Sequence, residues 1–106
     1  AEQESVSTMV FDEVGSGIGG AVSTAVGERL KKLGKNRQVL VVTHSPQVAS
    51  LGVHHFLVKK KLVNNITSID VIKIDGHDKT NEIARMLSGK QITNEAIEAA
   101  KKLIES

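Results

Sequence analysis

The apolar positions of this 106-residue chain change period several times, and each change marks an element. Residues 6–11 (VSTMVF) and 38–43 (QVLVVT) are short apolar runs that read as strands covered on both faces. Between them lies a glycine-dense turn with Gly15, Gly17, Gly19 and Gly20. The period then becomes helical over 21–33, placing Val22, Val26, Leu30 and Leu33 on one face. Gly34 stands where a helix C-terminal glycine belongs, after Arg29, Lys31 and Lys32. Ser45-Pro46 reads as an N-cap followed by proline at the first position of a short helix ending near Gly52. A β-α-β-α order implies a parallel sheet with right-handed crossovers.

The second half differs. Stretches 53–60 and 67–74 read as extended segments around Val63-Asn64-Asn65, a hairpin or a pair of edge strands. After a turn predicted at Asp75-Gly76-His77-Asp78, residues 80–88 read as a helix with Ile83, Met86 and Leu87 inward and Gly89 closing it. Thr93 caps a last helix whose apolar stripe is Ile97, Ala100, Leu103 and Ile104. The pattern predicts one α/β domain over residues 1–106, with a mostly parallel sheet and an antiparallel strand pair towards the C-terminus. It holds no internal repeat, low-complexity tract or linker.

Composition narrows the function classes. A length of 106 residues allows one core, and 40% apolar residues suit a globular chain. Phe11 and Phe56 are the only aromatic residues, which argues against a module that stacks bases on exposed rings. A formal charge of +2 is too small to indicate nucleic acid by itself. The absence of cysteine excludes a disulfide framework and a thiolate zinc site. No apolar run approaches the roughly 18–20 residues of a membrane span, and the polar start Ala1-Glu2-Gln3-Glu4-Ser5 is unlike a signal peptide. The expected product is soluble and cytoplasmic, without a membrane partner.

The chemistry sits at the strand ends. Val10-Phe11 runs directly into Asp12-Glu13, and the second strand delivers His44 in the same way. One carboxylate near phosphates commonly holds Mg²⁺, often through water, and its neighbour can polarise the attacking water. An imidazole before a helix N-cap can donate to a phosphate oxygen. The same residues taken singly also fit a solvated acidic turn and a hydrogen-bonded structural histidine. One helix plus one strand separates Glu13 from His44, which is the spacing that parallel neighbours require.

Phe11-Asp12-Glu13-Val14, Gly17-Ile18-Gly19-Gly20, the run from Val41 through Thr43-His44-Ser45-Pro46 to Ala49, and Asn81-Glu82-Ile83-Ala84-Arg85-Met86-Leu87-Ser88-Gly89 together resemble the C-terminal ATPase lobe of the RecN family. These are SMC-like ABC ATPases of bacterial DNA double-strand-break repair, and the resemblance spans roughly residues 6–104. It implies a three-layer, P-loop NTPase-like partial domain. It also implies Asp12 as the Walker B, Mg²⁺-binding aspartate, Glu13 as the catalytic glutamate, and His44 as the switch histidine that contacts the γ-phosphate. Ser16 and Gly17, expected with Asp12 and His44 to bind the nucleotide, fall in the D-loop region, residues 15–20, which faces a second ATPase head in an ATP-sandwiched dimer. Nucleoid association and contact with DNA through the full assembly follow from the same resemblance. RecN-like sequences usually carry aspartate where this chain has Gly15, which puts the loop's contact across the dimer in question.

No G-x-x-x-x-G-K-[ST] occurs in the chain, so nothing in it cradles phosphates. ATP and Mg²⁺ are therefore expected only in a site completed by an N-terminal phosphate-binding lobe or a separate chain. The alternative is a non-catalytic remnant or interaction module that keeps the fold. Either way, uncovered apolar surface and self-association are expected. Leu87-Ser88-Gly89-Lys90-Gln91 reads as a helix C-cap rather than an ABC signature. Lys59-Lys60-Lys61 reads as a solvated strand end, and Arg29, Lys31, Lys32, Lys35 and Arg37 as complements to a helix dipole. His54 and His55, adjacent in an extended segment, point to opposite faces and with His77 make no zinc pattern. No G-x-S-x-G elbow supports acyl-transfer chemistry at Ser16 or Ser45.

Overall fold

A computed structural model of the chain describes residues 8–105. Positions 6 and 7 of the predicted first strand lie outside them. Strand β1 (Thr8–Phe11) pairs in parallel with β2 (Gln38–Val41), from Thr8↔Gln38 to Phe11↔Val41, and helix α1 (Gly20–Leu33) makes the crossover. A short α2 (Pro46–Ala49) leads to the antiparallel hairpin of β3 (His55–Val63) and β4 (Ile66–Ile74). Helices α3 (Gly76–Ser88) and α4 (Asn94–Glu105) close the order. The domain is α/β, with the parallel and antiparallel pairs forming two separate sheets. The parallel ladder spans four residue pairs and the antiparallel one nine, so the longer ladder is the antiparallel one.

Local chemistry explains most boundaries. Asn64 and Asn65 take positive φ of 53° and 63°, which a two-residue hairpin turn needs for its twist to match the strands. The Ser45 hydroxyl accepts the Val48 amide at 3.3 Å with Pro46 in the first turn. Thr93 caps α4 by accepting the Ala96 amide at 3.0 Å. Gly89 ends α3 at φ 83°, as a C-terminal glycine does.

Several expectations change. Residues 76–78 are not a turn but the first turn of α3, with Asp75 as its extended N-cap. Val53 and His54 precede β3 rather than belonging to it, so His54 and His55 are not strand neighbours. Lys59-Lys60-Lys61 lies inside β3 instead of at its end, because the strand runs on to Val63. Leu87 is exposed, while Ile83 and Ala84 carry the inward face of α3. On α1 the buried residues are Ser23, Gly27 and Leu30, and Val22 is exposed. The cause is a close helix crossing: a Cβ on Gly27 would stand 2.8 Å from Leu51 Cδ1 and 3.4 Å from Val48 Cα. Small residues let α1 approach that near, and the larger Val22 is turned outward.

The main core lies between α3 and α4, where Ile83, Ala84, Ala96 and Ala100 are buried and Met86, Ile97, Leu103, Ile104 and Ala49 pack around them. Full burial of one side chain such as Ile83 stabilises by about 1.5–3 kcal/mol. The β1–β2 pair is covered on one face only: Val10 and Leu40 are 65% and 47% exposed, whereas Met9, Phe11, Val39 and Val41 are half-buried. The expectation of two covered faces does not hold. Phe56, Val58, Leu62, Ile69 and Val71, which share one hairpin face by register, are likewise exposed.

Candidate functional site at the strand ends

Both parallel strands end on one rim, and main-chain bonds continue past the last ladder pair. Val42 N–H donates to Phe11 O at 2.8 Å, and Val14 N–H donates to Val42 O at 3.2 Å. Thr43 then ties the two loops together, donating its hydroxyl to Val14 O at 2.5 Å while accepting the Ser45 amide at 2.9 Å. With Val14 and Thr43 joined, the residue before one and the residue after the other meet across the rim. Glu13 Oε1 stands 3.5 Å from His44 Nδ1.

The backbone aims these groups at water. Glu13 has φ 55°, a left-handed conformation that is uncommon for a residue with a long side chain. Its side chain is 60% exposed and that of His44 88%, so solvent screens their mutual attraction. Asp12 is exposed, and its carboxylate makes no hydrogen bond or ion pair among the described residues. The loop then folds back, with Ser16 N–H donating to Glu13 O at 3.3 Å. Ser16 and Gly17 are exposed on it, and Gly17 adopts φ 76° with open space where a Cβ would be. Gly15 adopts φ 86° in a tight place: a Cβ there would stand 2.8 Å from Ser45 Cβ and 3.3 Å from Ser23 Oγ.

The structure thus brings Glu13 and His44 together and places Asp12, Ser16 and Gly17 on the same loop, without a contact between these three and His44 among the bonds it records. Among the described residues no group of three or more His, Asp or Glu side chains is arranged to hold a metal ion. Sequence reasoning missed Thr43. The signal for it was a hydroxyl residue between an apolar strand and a capped helix, a position from which its oxygen can reach a neighbouring strand end.

A β-α-β unit with a carboxylate and an imidazole meeting at its strand ends defines a small α/β domain with an acidic–imidazole rim. No family model matches the chain. It is 48% identical over 102 residues to DNA repair protein RecN of Xylella fastidiosa strain 9a5c, covering 96% of this chain. It is 45% identical over 97 residues to DNA repair protein RecN of Deinococcus radiodurans (92% of this chain), and 40% identical over 104 residues to that of Vibrio cholerae (98%). The chain belongs to the RecN family and is homologous to the C-terminal region of these proteins. It spans about 18% of their length, 17% to 19% in the three named.

Proposed function

We propose that this chain supplies the hydrolytic rim of a RecN-like ATP site in recombinational repair of DNA double-strand breaks. The observation that carries the reading is the 3.5 Å approach of Glu13 to His44 across two parallel strand ends. In this reading Glu13 orients and deprotonates the attacking water, and His44 donates to a γ-phosphate oxygen. The exposed carboxylate of Asp12, without a hydrogen bond or ion pair among the described residues, would hold a hard cation such as Mg²⁺ through water. When bound, that ion would neutralise charge developing between the β- and γ-phosphates. Ser16 and Gly17 project from the loop towards a second ATPase head. The fold reading that goes with this is a partial, three-layer P-loop NTPase-like head, completed by a phosphate-binding lobe that covers Val10, Leu40 and Val42.

The test mixes this chain with the phosphate-binding segment of a RecN protein and follows phosphate release. ATP hydrolysis should need both parts and fall at least a hundredfold with Glu13→Gln. Full activity of the 106-residue chain alone, or an active Glu13→Gln mixture, would overturn the reading. One observation favours a second reading, an interaction module without ATPase activity: Gly15 packs its loop against Ser45 and Ser23 of the same chain. A folded complex with that segment that never hydrolyses ATP would select it.

A further inference from the structure

The lysines Lys59-Lys60-Lys61 occupy the middle of β3, a strand with one open edge. Among the described residues β3 pairs with β4 alone, and no main-chain bond reaches residues 55–63 from outside the hairpin. The two-residue turn at Asn64-Asn65 makes Val63 and Ile66 a bonded pair, after which bonded and non-bonded pairs alternate along the ladder. Phe56, Val58, Lys60 and Leu62 therefore direct their amides and carbonyls to the open edge, where those groups lack a strand to bond.

The side chains of this strand divide between two faces. Phe56, Val58 and Leu62 are exposed on one, with Lys60 among them. Lys59 and Lys61 are exposed on the other. Lys61 meets Asp70 of β4 at 3.2 Å, whereas Lys59 and Lys60 form no ion pair among the described residues. Lysine on an edge strand discourages pairing with an identical strand. A second β3 laid antiparallel would set lysine against lysine, and a second β4 offers one acid, Asp70, against three cations. The pattern that keeps copies of this chain apart selects a partner of opposite charge.

We infer that the open edge of β3 is a docking site for an extended acidic segment of another protein, which adds to the hairpin as a third strand. Main-chain bonds to Phe56, Val58, Lys60 and Leu62 hold the segment in place. Its carboxylates lie opposite Lys59 and Lys61, and its apolar side chains cover Phe56, Val58 and Leu62 on the other face. The segment that fits thus alternates acidic and apolar residues. The outer edge of β4 suits it less, because a carboxylate there would meet Asp70. The site uses no residue of the strand-end rim, so it stands apart from the ATP-site reading.

The test titrates the full chain into a fluorescein-labelled peptide of alternating glutamate and valine, with blocked ends and as long as the nine residues of β3. Anisotropy should show saturable binding. K59Q/K61Q should weaken it by roughly two- to thirtyfold, as expected for two exposed cross-strand charge pairs, while K59R/K61R keeps the affinity. Hydrogen exchange should slow at the amides of Phe56, Val58, Lys60 and Leu62 when the peptide binds. No saturation up to about 1 mM peptide would overturn the inference. So would unchanged affinity in K59Q/K61Q, or peptide binding that leaves those four amides unprotected. Equal affinity for a peptide with the same residues in two blocks would also overturn it, as would duplex DNA that displaces the peptide and binds more tightly.

Discussion

Thr43 and Val14 are joined by a 2.5 Å hydrogen bond from the threonine hydroxyl to the valine carbonyl, and this bond holds the two strand ends at one spacing. The same oxygen accepts the Ser45 amide at 2.9 Å, so a half-buried side chain serves both loops. Thr43→Val keeps the shape and removes both bonds. It should destabilise the chain by about 1–3 kcal/mol, because a carbonyl and an amide lose their partner together. Thr43→Ser should recover most of that loss. Urea unfolding followed by circular dichroism checks it, and an unchanged midpoint in Thr43→Val would show that water replaces the clasp.

Gly15 and Gly17 separate two reasons for glycine on one loop. Both have positive φ, 86° and 76°, but only Gly15 has neighbours where a Cβ would go. Gly17→Ala should cost about 1 kcal/mol of backbone strain. Gly15→Ala adds the 2.8 Å approach to Ser45 Cβ, which forces the cap of α2 to move, and should cost about 1–3 kcal/mol more. Gly15→Asp, the residue that the family resemblance leads one to expect at this position, should be at least as costly in this chain. Equal midpoints for the two alanine variants would mean that the loop shifts freely away from Ser45.

His55 gives the chain a pH dependence of defined sign. It begins β3, its Nδ1 is buried without a hydrogen-bond partner, and burial followed by the Lys79 charge lowers its pKa below 6.5, with Glu82 opposing. The unfolded chain therefore binds this proton more readily than the folded chain. Stability is fully present above pH 6.5 and is lost as pH falls through 6.5 towards the lower folded value. His55→Gln should flatten the curve of unfolding midpoint against pH over that interval. A slope unchanged by the substitution would assign the effect to other groups.

What the sequence disclosed follows from how local each signal is. Ser45-Pro46, Asn64-Asn65, Thr93 and Gly89 act within a few residues of themselves, and each ends or starts an element where expected. The adjacency of β1 and β2 was legible because a strand, one helix and a strand have few ways to pack. The buried face of α1 was not legible, because Ser23 and Gly27 are inward only by virtue of how near Val48 and Leu51 come. Val10 and Leu40 misled for another reason. An apolar pattern states which positions prefer burial, and the described residues cover only one side of the parallel pair. At the rim, the approach of Glu13 to His44 was legible from type and spacing, while Thr43, whose hydroxyl ties their loops together, was passed over although its place between an apolar strand and a capped helix signalled it.

Glu13 allows strain to be separated from charge at the same position. A left-handed backbone costs a residue of this kind roughly 1–2 kcal/mol, and strain of that size persists at sites where the surroundings impose it. Glu13→Asn introduces a side chain that tolerates positive φ and should raise the unfolding free energy by about 0.5–1 kcal/mol. Glu13→Gln keeps the strain and removes only the exposed pairing with His44, so its stability should stay within about 0.5 kcal/mol of the original. Glu13→Gly relieves the strain too but gains less, since glycine adds freedom to the unfolded chain. Both Glu13→Asn and Glu13→Gln should lack hydrolysis in the ATP site proposed for the completed assembly. A more stable protein without activity and an equally stable protein without activity would together place the carboxylate, rather than the loop's shape, at the centre of the chemistry. If Glu13→Asn were no more stable than Glu13→Gln, the left-handed turn would be unstrained and its tie to function would fall.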